Sequence, residues 1–320
     1  MITAVVPCHK IDDIVLSCVV ANAKLLAHQN IDTIVVINNM TLTDTVKEML
    51  RPATVIYSPK AGRSQARNFG LEQVKTPLVL FLDSDVQIKN FNFQSLKEKI
   101  DEYQLDFVQG KINYRFNKLS LVNNIKLKLA NEYQMKTKYG VSRPGLDSCA
   151  LLANTEHMLK LKFNEQFTRN EDAEILYRGQ DHKEQRIGIY HDLIVDKKID
   201  TTFTKMIKDL AISIFYTELL KQTYLDYETY FHTKNELSLS LRNSWSDFKR
   251  LKSSKNLFVW GMQMYQYILF VLVSKHLNKQ EISSRELKNE NIVLYMPQKN
   301  ILYSLKYFKI VGIKSISKLN

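Results

Sequence analysis

Leu78-Val79-Leu80-Phe81-Leu82-Asp83-Ser84-Asp85 decides how the rest of the chain is read. Five apolar residues without a polar break have the length and character of a strand buried on both faces, and the run stops on two carboxylates spaced i, i+2. Such a strand belongs inside a sheet covered by helices. Outward from it, Ile2–Val6, Thr33–Ile37 and Thr54–Tyr57 are further short apolar runs bounded by turn residues, while Ile14–Ala27 and Thr43–Leu50 carry helical periodicity between them. Alternating strand and helix with short connections predicts an α/β, doubly wound, mostly parallel sheet. Ligands of such sheets bind beyond the carboxyl ends of the strands, which is where Asp83 and Asp85 fall.

Composition supports a packed domain and narrows its partners. Of 320 residues, 45% are hydrophobic and 24% charged, as in ordinary soluble domains, so a minimal disulfide-stapled scaffold is ruled out. The net charge is +12, but residues 1–200 carry 27 basic against 24 acidic side chains and residues 201–320 carry 18 against 9. A nucleic-acid-binding protein could use that charge and the 16 tyrosines and 15 phenylalanines for stacking. The near-balanced first part offers no basic groove at the sheet edge, so no nucleic acid is expected. Cys8, Cys18 and Cys149 have no metal-ligand spacing and read as free thiols of a reducing compartment. Met1–Pro7 lacks the basic lead and long apolar stretch of a secretory signal, so a cytoplasmic location is expected.

From about Thr202 the pattern changes. Met206, Ile207, Leu210, Ala211, Ile214, Phe215, Leu219 and Leu220 recur at three- and four-residue intervals, the stripe of an amphipathic helix. The expected division is a catalytic domain over 1–200 and a mostly helical, basic region over 201–320 that serves packing, homo-oligomerisation or membrane contact. Lys249, Arg250, Lys252 and Lys255 precede Leu257–Val273, which holds Trp260, Tyr265 and Tyr267 and, at 17 residues, is short for crossing a bilayer. Basic residues beside an aromatic-rich apolar segment suit peripheral contact with an anionic surface such as the inner face of the cell membrane.

The chemistry sits in four places. Hard divalent cations take oxygen ligands, so Asp83 and Asp85 suit Mn²⁺ or Mg²⁺ on a diphosphate; the same pair also reads as a solvated turn or helix cap. Gly62-Arg63-Ser64-Gln65-Ala66-Arg67-Asn68-Phe69-Gly70 is a loop entering a short helix, where Arg67 offers a planar donor fork to phosphate or stands as a surface arginine. Phe163 to Ile175 places four acids within ten residues, the composition of a helix N-terminus. Gly145-Leu146-Asp147-Ser148 reads as a polar turn before a strand.

In this order the pieces resemble the family-2 inverting glycosyltransferases of GT-A fold. The resemblance rests on the opening strand to Pro7, Gly62…Ala66-Arg67-Asn68-Phe69-Gly70, Phe81-Leu82-Asp83-Ser84-Asp85, and Phe163-Asn164-Glu165-Gln166-Phe167 followed by Glu171-Asp172, and spans roughly residues 1–200. It implies transfer of a hexosyl group from a nucleotide-sugar, with UDP the expected carrier, to a hydroxyl of a glycan or lipid-linked acceptor in cell-surface polysaccharide or glycolipid synthesis. A peptide or protein acceptor is the competing expectation. By the same resemblance Asp83 and Asp85 bind the metal, with Asp85 the direct ligand and His191 a further metal or diphosphate contact. Asp172 is the general base, with Glu171 in reserve. Pro7 and His9 form one wall of the nucleotide pocket, Gly62, Arg67 and Ser84 contact the nucleotide-sugar, and Asp147 contacts donor sugar or acceptor. The chain departs from the family at Ile37-Asn38-Asn39-Met40-Thr41, where relatives carry an acid that contacts the base; Asn38 or Asn39 would take that role. A sugar-nucleotide pyrophosphorylase would need a glycine-rich loop after the first strand, which Pro7-Cys8-His9-Lys10 does not provide.

Overall fold

The computed structural model describes residues 1–116, 146–167, 169–180, 186–199 and 201–223 as continuous stretches, with shorter pieces within 120–127, at 140–142 and between 242 and 268. The chain divides into two compact units, Met1–Met206 and Ile207–Asn320.

The first unit is built from the apolar runs. β1 (Ile2–Cys8), β2 (Asp32–Asn38), β3 (Thr54–Ser58) and β4 (Leu78–Leu82) lie parallel, with Val5 level with Ile34 on one side and Phe81 on the other. All residues of β1 and β4 are buried, as continuous β-branched and leucine runs require. Helix α1 (Asp13–Ala27) starts where the Asp12 carboxylate accepts the Val15 N–H at 3.0 Å, and it buries Val15, Cys18, Val19, Ala23 and Leu26. The short α2 (Asp44–Met49) is capped by Thr43 in the same way. Helix α3 (Arg63–Leu71) lies so close to the sheet that a Cβ on Gly70 would stand 2.5 Å from Val5 Cγ1 and 2.8 Å from Val36 Cγ2.

Beyond β4 the expected parallel arrangement gives way to a mixed one. β5 (Val86–Phe91), β6 (Phe107–Phe116), β7 (Gly140–Ser142), β8 (Ala150–Asn154) and β9 (Ile187–Ile199) complete a sheet of order β3-β2-β1-β4-β8-β6-β9-β5, with β7 on β9. β8 runs antiparallel to both β4 and β6, β6 and β9 run parallel, and β5 runs antiparallel to β9. Helices α4 (Phe93–Tyr103), α5 (Thr155–Leu161), α6 (Glu171–Gln180) and α7 (Phe203–Thr223) follow in the connections and at the end. This is the α/β sheet expected of a GT-A-type fold.

The sheet must curl. In a flat sheet Leu82 and Val86 would be four strand spacings apart, about 19 Å. The four residue steps that join them reach at most about 14 Å. Curling brings the β5–β9 edge back to the end of β4, with Val86 level with Lys197.

In α7, Met206, Ile214, Tyr216 and Leu220 are buried, consistent with the amphipathic stripe read from the sequence. In the second unit the Lys249 ammonium lies 5.3 Å from the Trp245 ring centroid, and Trp245 packs on Trp260 at 4.7 Å. Arg250, Lys252, Lys255 and most of Leu257–Val273 lie outside the described residues. Among the described residues no helix is long and apolar enough to cross a membrane. Cys8, Cys18 and Cys149 are free and buried.

Candidate active site

The end of β4, the start of β8, the first turn of α6 and the inward face of β9 converge at Asp83. Its N–H donates to the Cys149 carbonyl at 2.9 Å, which ties the β4 end to the turn before β8. Its side chain is held by two cations: Oδ1 accepts from Arg67 Nη2 at 2.8 Å and Oδ2 from Lys197 Nζ at 2.9 Å. Burial alone would raise the Asp83 carboxyl, but Lys197, then Arg67 and Arg63, outweigh it and hold the group well below the ordinary carboxylate range.

Arg67 is 1% exposed and lies beneath the carboxylates instead of facing a ligand. Its Nη1 donates to Glu171 Oε1 at 2.7 Å, and its guanidinium stands 5.2 Å from the Phe163 ring centroid. A buried guanidinium is tolerable only when carboxylates face it, and α3 presents Arg67 inward with Ser64, Asn68 and Leu71. Glu171, also buried, is committed to Arg67 and to Arg63 at 3.6 Å. The structure places Arg67, expected as a nucleotide contact, and Glu171, expected as a reserve base, in an internal ion pair, with Arg67 shared between Glu171 and Asp83.

Asp172, the next residue, is placed differently. Its carboxylate accepts the Ser148 N–H at 3.2 Å and the Ala173 N–H at 2.9 Å. Burial first, and the neighbouring Glu171 and Asp147 carboxylates second, push it up to about 7 against those two donors. Asp147 caps the turn, accepting the Cys149 N–H at 2.9 Å while its own N–H donates to Gln109 Oε1 at 2.8 Å, and burial raises its carboxyl too.

Lys197 was not singled out in the sequence, yet it occupies the centre. Besides Asp83 it lies 3.3 Å from Asp85 Oδ1 and 3.7 Å from Cys149 Sγ. The signal available was strand alternation: Leu193 and Val195, buried on β9, share a face with Lys197, and a lysine on an inward face needs a reason.

The implied divalent ion can be tested against this donor set. Asp83 has both oxygens engaged by cations, and Asp85 faces the Lys197 ammonium. His191 lies six residues before Lys197 on β9, where its carbonyl accepts from the Asn90 side chain, and the structure does not bring it to Asp85. Among the described residues no group of three or more His, Cys, Asp and Glu side chains is arranged to hold a metal. With Lys197 in place these residues do not fit Mn²⁺ or Mg²⁺.

On the nucleotide side, Pro7 is buried near the end of β1 and His9 is exposed just beyond it. Ser84 is buried against the Cys8 thiol, which burial pushes up to about 11. Asn38 does not present its amide to a ligand: it donates to the Gly62 carbonyl at 2.5 Å and accepts the Gly62 N–H at 3.3 Å, stapling β2 to the start of α3. Gly62 has φ +134°, a value that excludes side chains. Asn39, at φ 59°, is exposed beside it.

Comparison with known proteins finds similarity to glycosyltransferases. The profile of glycosyl transferase family 2 matches residues 3–154. Glycosyltransferase GlyA of Streptococcus pneumoniae serotype 4 is 31% identical over 121 residues, 36% of this chain, and the chain spans only 17% of that protein's length. Among solved structures, Staphylococcus aureus TarS 1–349 in complex with UDP is 15% identical, with a TM-score of 0.49 over 87% of this chain and 91% of that one. Glucosyl-3-phosphoglycerate synthase of Mycobacterium tuberculosis is 16% identical, with a TM-score of 0.46 over 69% and 78%. From the matched span and the motifs within it, residues 3–154 form a glycosyl transferase family 2 domain.

Proposed function

We propose that the chain transfers a hexosyl group from a nucleotide-sugar, with UDP as carrier, to an acceptor hydroxyl with inversion at the anomeric carbon. The acceptor is a glycan or a lipid-linked sugar of cell-surface polymer synthesis, and residues 1–200 carry the reaction. The observation that supports the reading is Asp172, a carboxylate raised to about 7 beside the Glu171 and Asp147 carboxylates. A base with a pKa near the working pH combines a useful fraction of the ionised form with a real drive to take a proton. The acceptor oxygen attacks the anomeric carbon and a new C–O bond forms. The bond from that carbon to the diphosphate breaks, its electron pair leaving on the phosphate oxygen, and the acceptor proton passes to Asp172. Arg67 and Glu171 hold the floor of the site, and Pro7, His9 and Asn39 face the nucleotide. Asp83 and Asp85 both face the Lys197 ammonium.

Asp172→Asn tests the reading. The amide keeps the shape but cannot accept a proton, so transfer should fall by at least ~10²-fold, the scale of general-base catalysis, with donor binding retained by calorimetry. Loss of donor binding together with activity would make Asp172 a binding or structural residue and remove the carrying observation.

A further inference from the structure

The Asp83–Asp85 pair already faces cations from within the chain. Lys197 ion-pairs with both carboxylates, and Arg67, shared with Glu171, holds Asp83 as well. Lys197 reaches the pair from β9, the strand returned to the end of β4 by the curl of the sheet, and its side chain remains 24% exposed. An ammonium has three N–H donors. One donates to Asp83 Oδ2 at 2.9 Å and one is directed to the Cys149 sulfur at 3.7 Å, a weak acceptor, while Asp85 Oδ1 stands at ion-pair distance, 3.3 Å. A phosphate oxygen is a far better partner, since hydrogen bonds between ionised groups are roughly twice as strong as neutral ones. Exchanging the sulfur contact for a phosphate oxygen therefore favours the bound state without breaking the Asp83 hydrogen bond.

Resting on the nucleotide-sugar reading, we propose that Lys197 is the diphosphate-binding cation of this site and takes the charge role of a divalent ion. Held between two aspartates, the ammonium is positioned before the donor arrives, so charge developing on the departing diphosphate meets a fixed positive group. Asp83 and Asp85 act as positioning residues for the lysine.

Calorimetry on the full chain at pH 7, with UDP and UMP as probes, tests the assignment. In EDTA the wild type should bind UDP at least about tenfold more tightly than UMP, as one charge-assisted bond to the second phosphate allows, and Mn²⁺ should change the UDP affinity by less than about twofold. Lys197→Gln should lose about tenfold or more in UDP affinity while UMP affinity stays within about twofold, closing the gap between the two. Added Mn²⁺ should then recover UDP binding in that variant, because the freed aspartates become an ordinary hard-cation site. Lys197→Arg should keep the preference for UDP over UMP. Wild-type UDP binding that disappears in EDTA overturns the proposal, as does a Lys197→Gln variant that binds UDP in EDTA as tightly as the wild type. Should Lys197→Gln fail to fold by circular dichroism, the wild-type EDTA arm and the Lys197→Arg variant still decide it. If UDP, GDP, ADP and CDP all fail to bind the wild type with EDTA and with Mn²⁺, the nucleotide-sugar reading fails and Lys197 falls with it; metal-dependent UDP binding overturns the lysine assignment alone.

Discussion

Arg67 joins two carboxylates on one guanidinium, and its partner Glu171 has a side chain only 3% exposed. Arg67→Met keeps most of the volume but leaves Glu171 buried without its cation, so stability should fall by about 3–5 kcal/mol, read from urea unfolding at pH 7. The titration of the neighbours gives two opposite pH arms. Asp83 lies below its unfolded value of 3.8, so its contribution is present above about pH 4 and is lost as pH falls further. Asp172 lies above that value, at about 7, so the folded state favours its protonated form and stability declines as pH rises from about 4 to about 7. Asp172→Asn, neutral throughout, should flatten that second arm in unfolding free energies measured across the range. At this scale the sequence was uneven. Asp83, Asp85 and Asp172 were readable because each sits at an element end, where a carboxylate has a local explanation or needs a ligand. Arg67 and Asn38 were legible as important but not in their roles, since their partners Glu171, Asp83 and Gly62 become neighbours only on folding.

Helix α3 shows how an element positions the site. Its N-terminus is fixed by Gly62 and the Asn38 staple, its inward face carries Arg67, and its C-terminal part rests on β1 and β2 at Gly70. Gly70→Ala would place a methyl against two stiff valines at 2.5 and 2.8 Å. Overpacking of about 1–3 kcal/mol outweighs the helix-propensity gain of up to about 1 kcal/mol, so the variant should be less stable by thermal or urea unfolding. The elements themselves were largely legible: β1 to β4 and α1 to α3 begin and end within a few residues of where the apolar runs and caps put them. The second half of the sheet was not. β8 pairs with β4 some seventy residues upstream, β9 pairs with both β6 and β5, and no local pattern distinguishes a buried parallel strand from a buried antiparallel one.

At the scale of the whole chain, charge is the feature left to explain. Residues 201–320 hold 18 of the 45 basic side chains and only 9 of the 33 acidic ones. We propose that this region contacts an anionic lipid surface, where each nearby Lys or Arg contributes about 1 kcal/mol. Co-sedimentation should show binding to phosphatidylserine-containing vesicles at low salt, little binding to phosphatidylcholine, and loss of binding as ionic strength passes the physiological range. Indifference to lipid charge at low salt would leave the region as a packing or self-association element. The Lys249 ammonium over Trp245 shows one of these cations already stacked on an aromatic ring.

The curled sheet also has a consequence in time. Protein synthesis releases β5 when residue 91 is made, but its partner strand β9 begins at residue 187, ninety-six residues later. During that interval Asp83 has neither Lys197 nor the Arg67–Glu171 pair complete, and Val86–Phe91 is an unpaired edge of the kind that recruits other chains. The nascent chain therefore passes through a long sticky stage that ends only when β9 emerges, and a ribosome pausing before β9 has emerged should raise aggregation more than one pausing after it has.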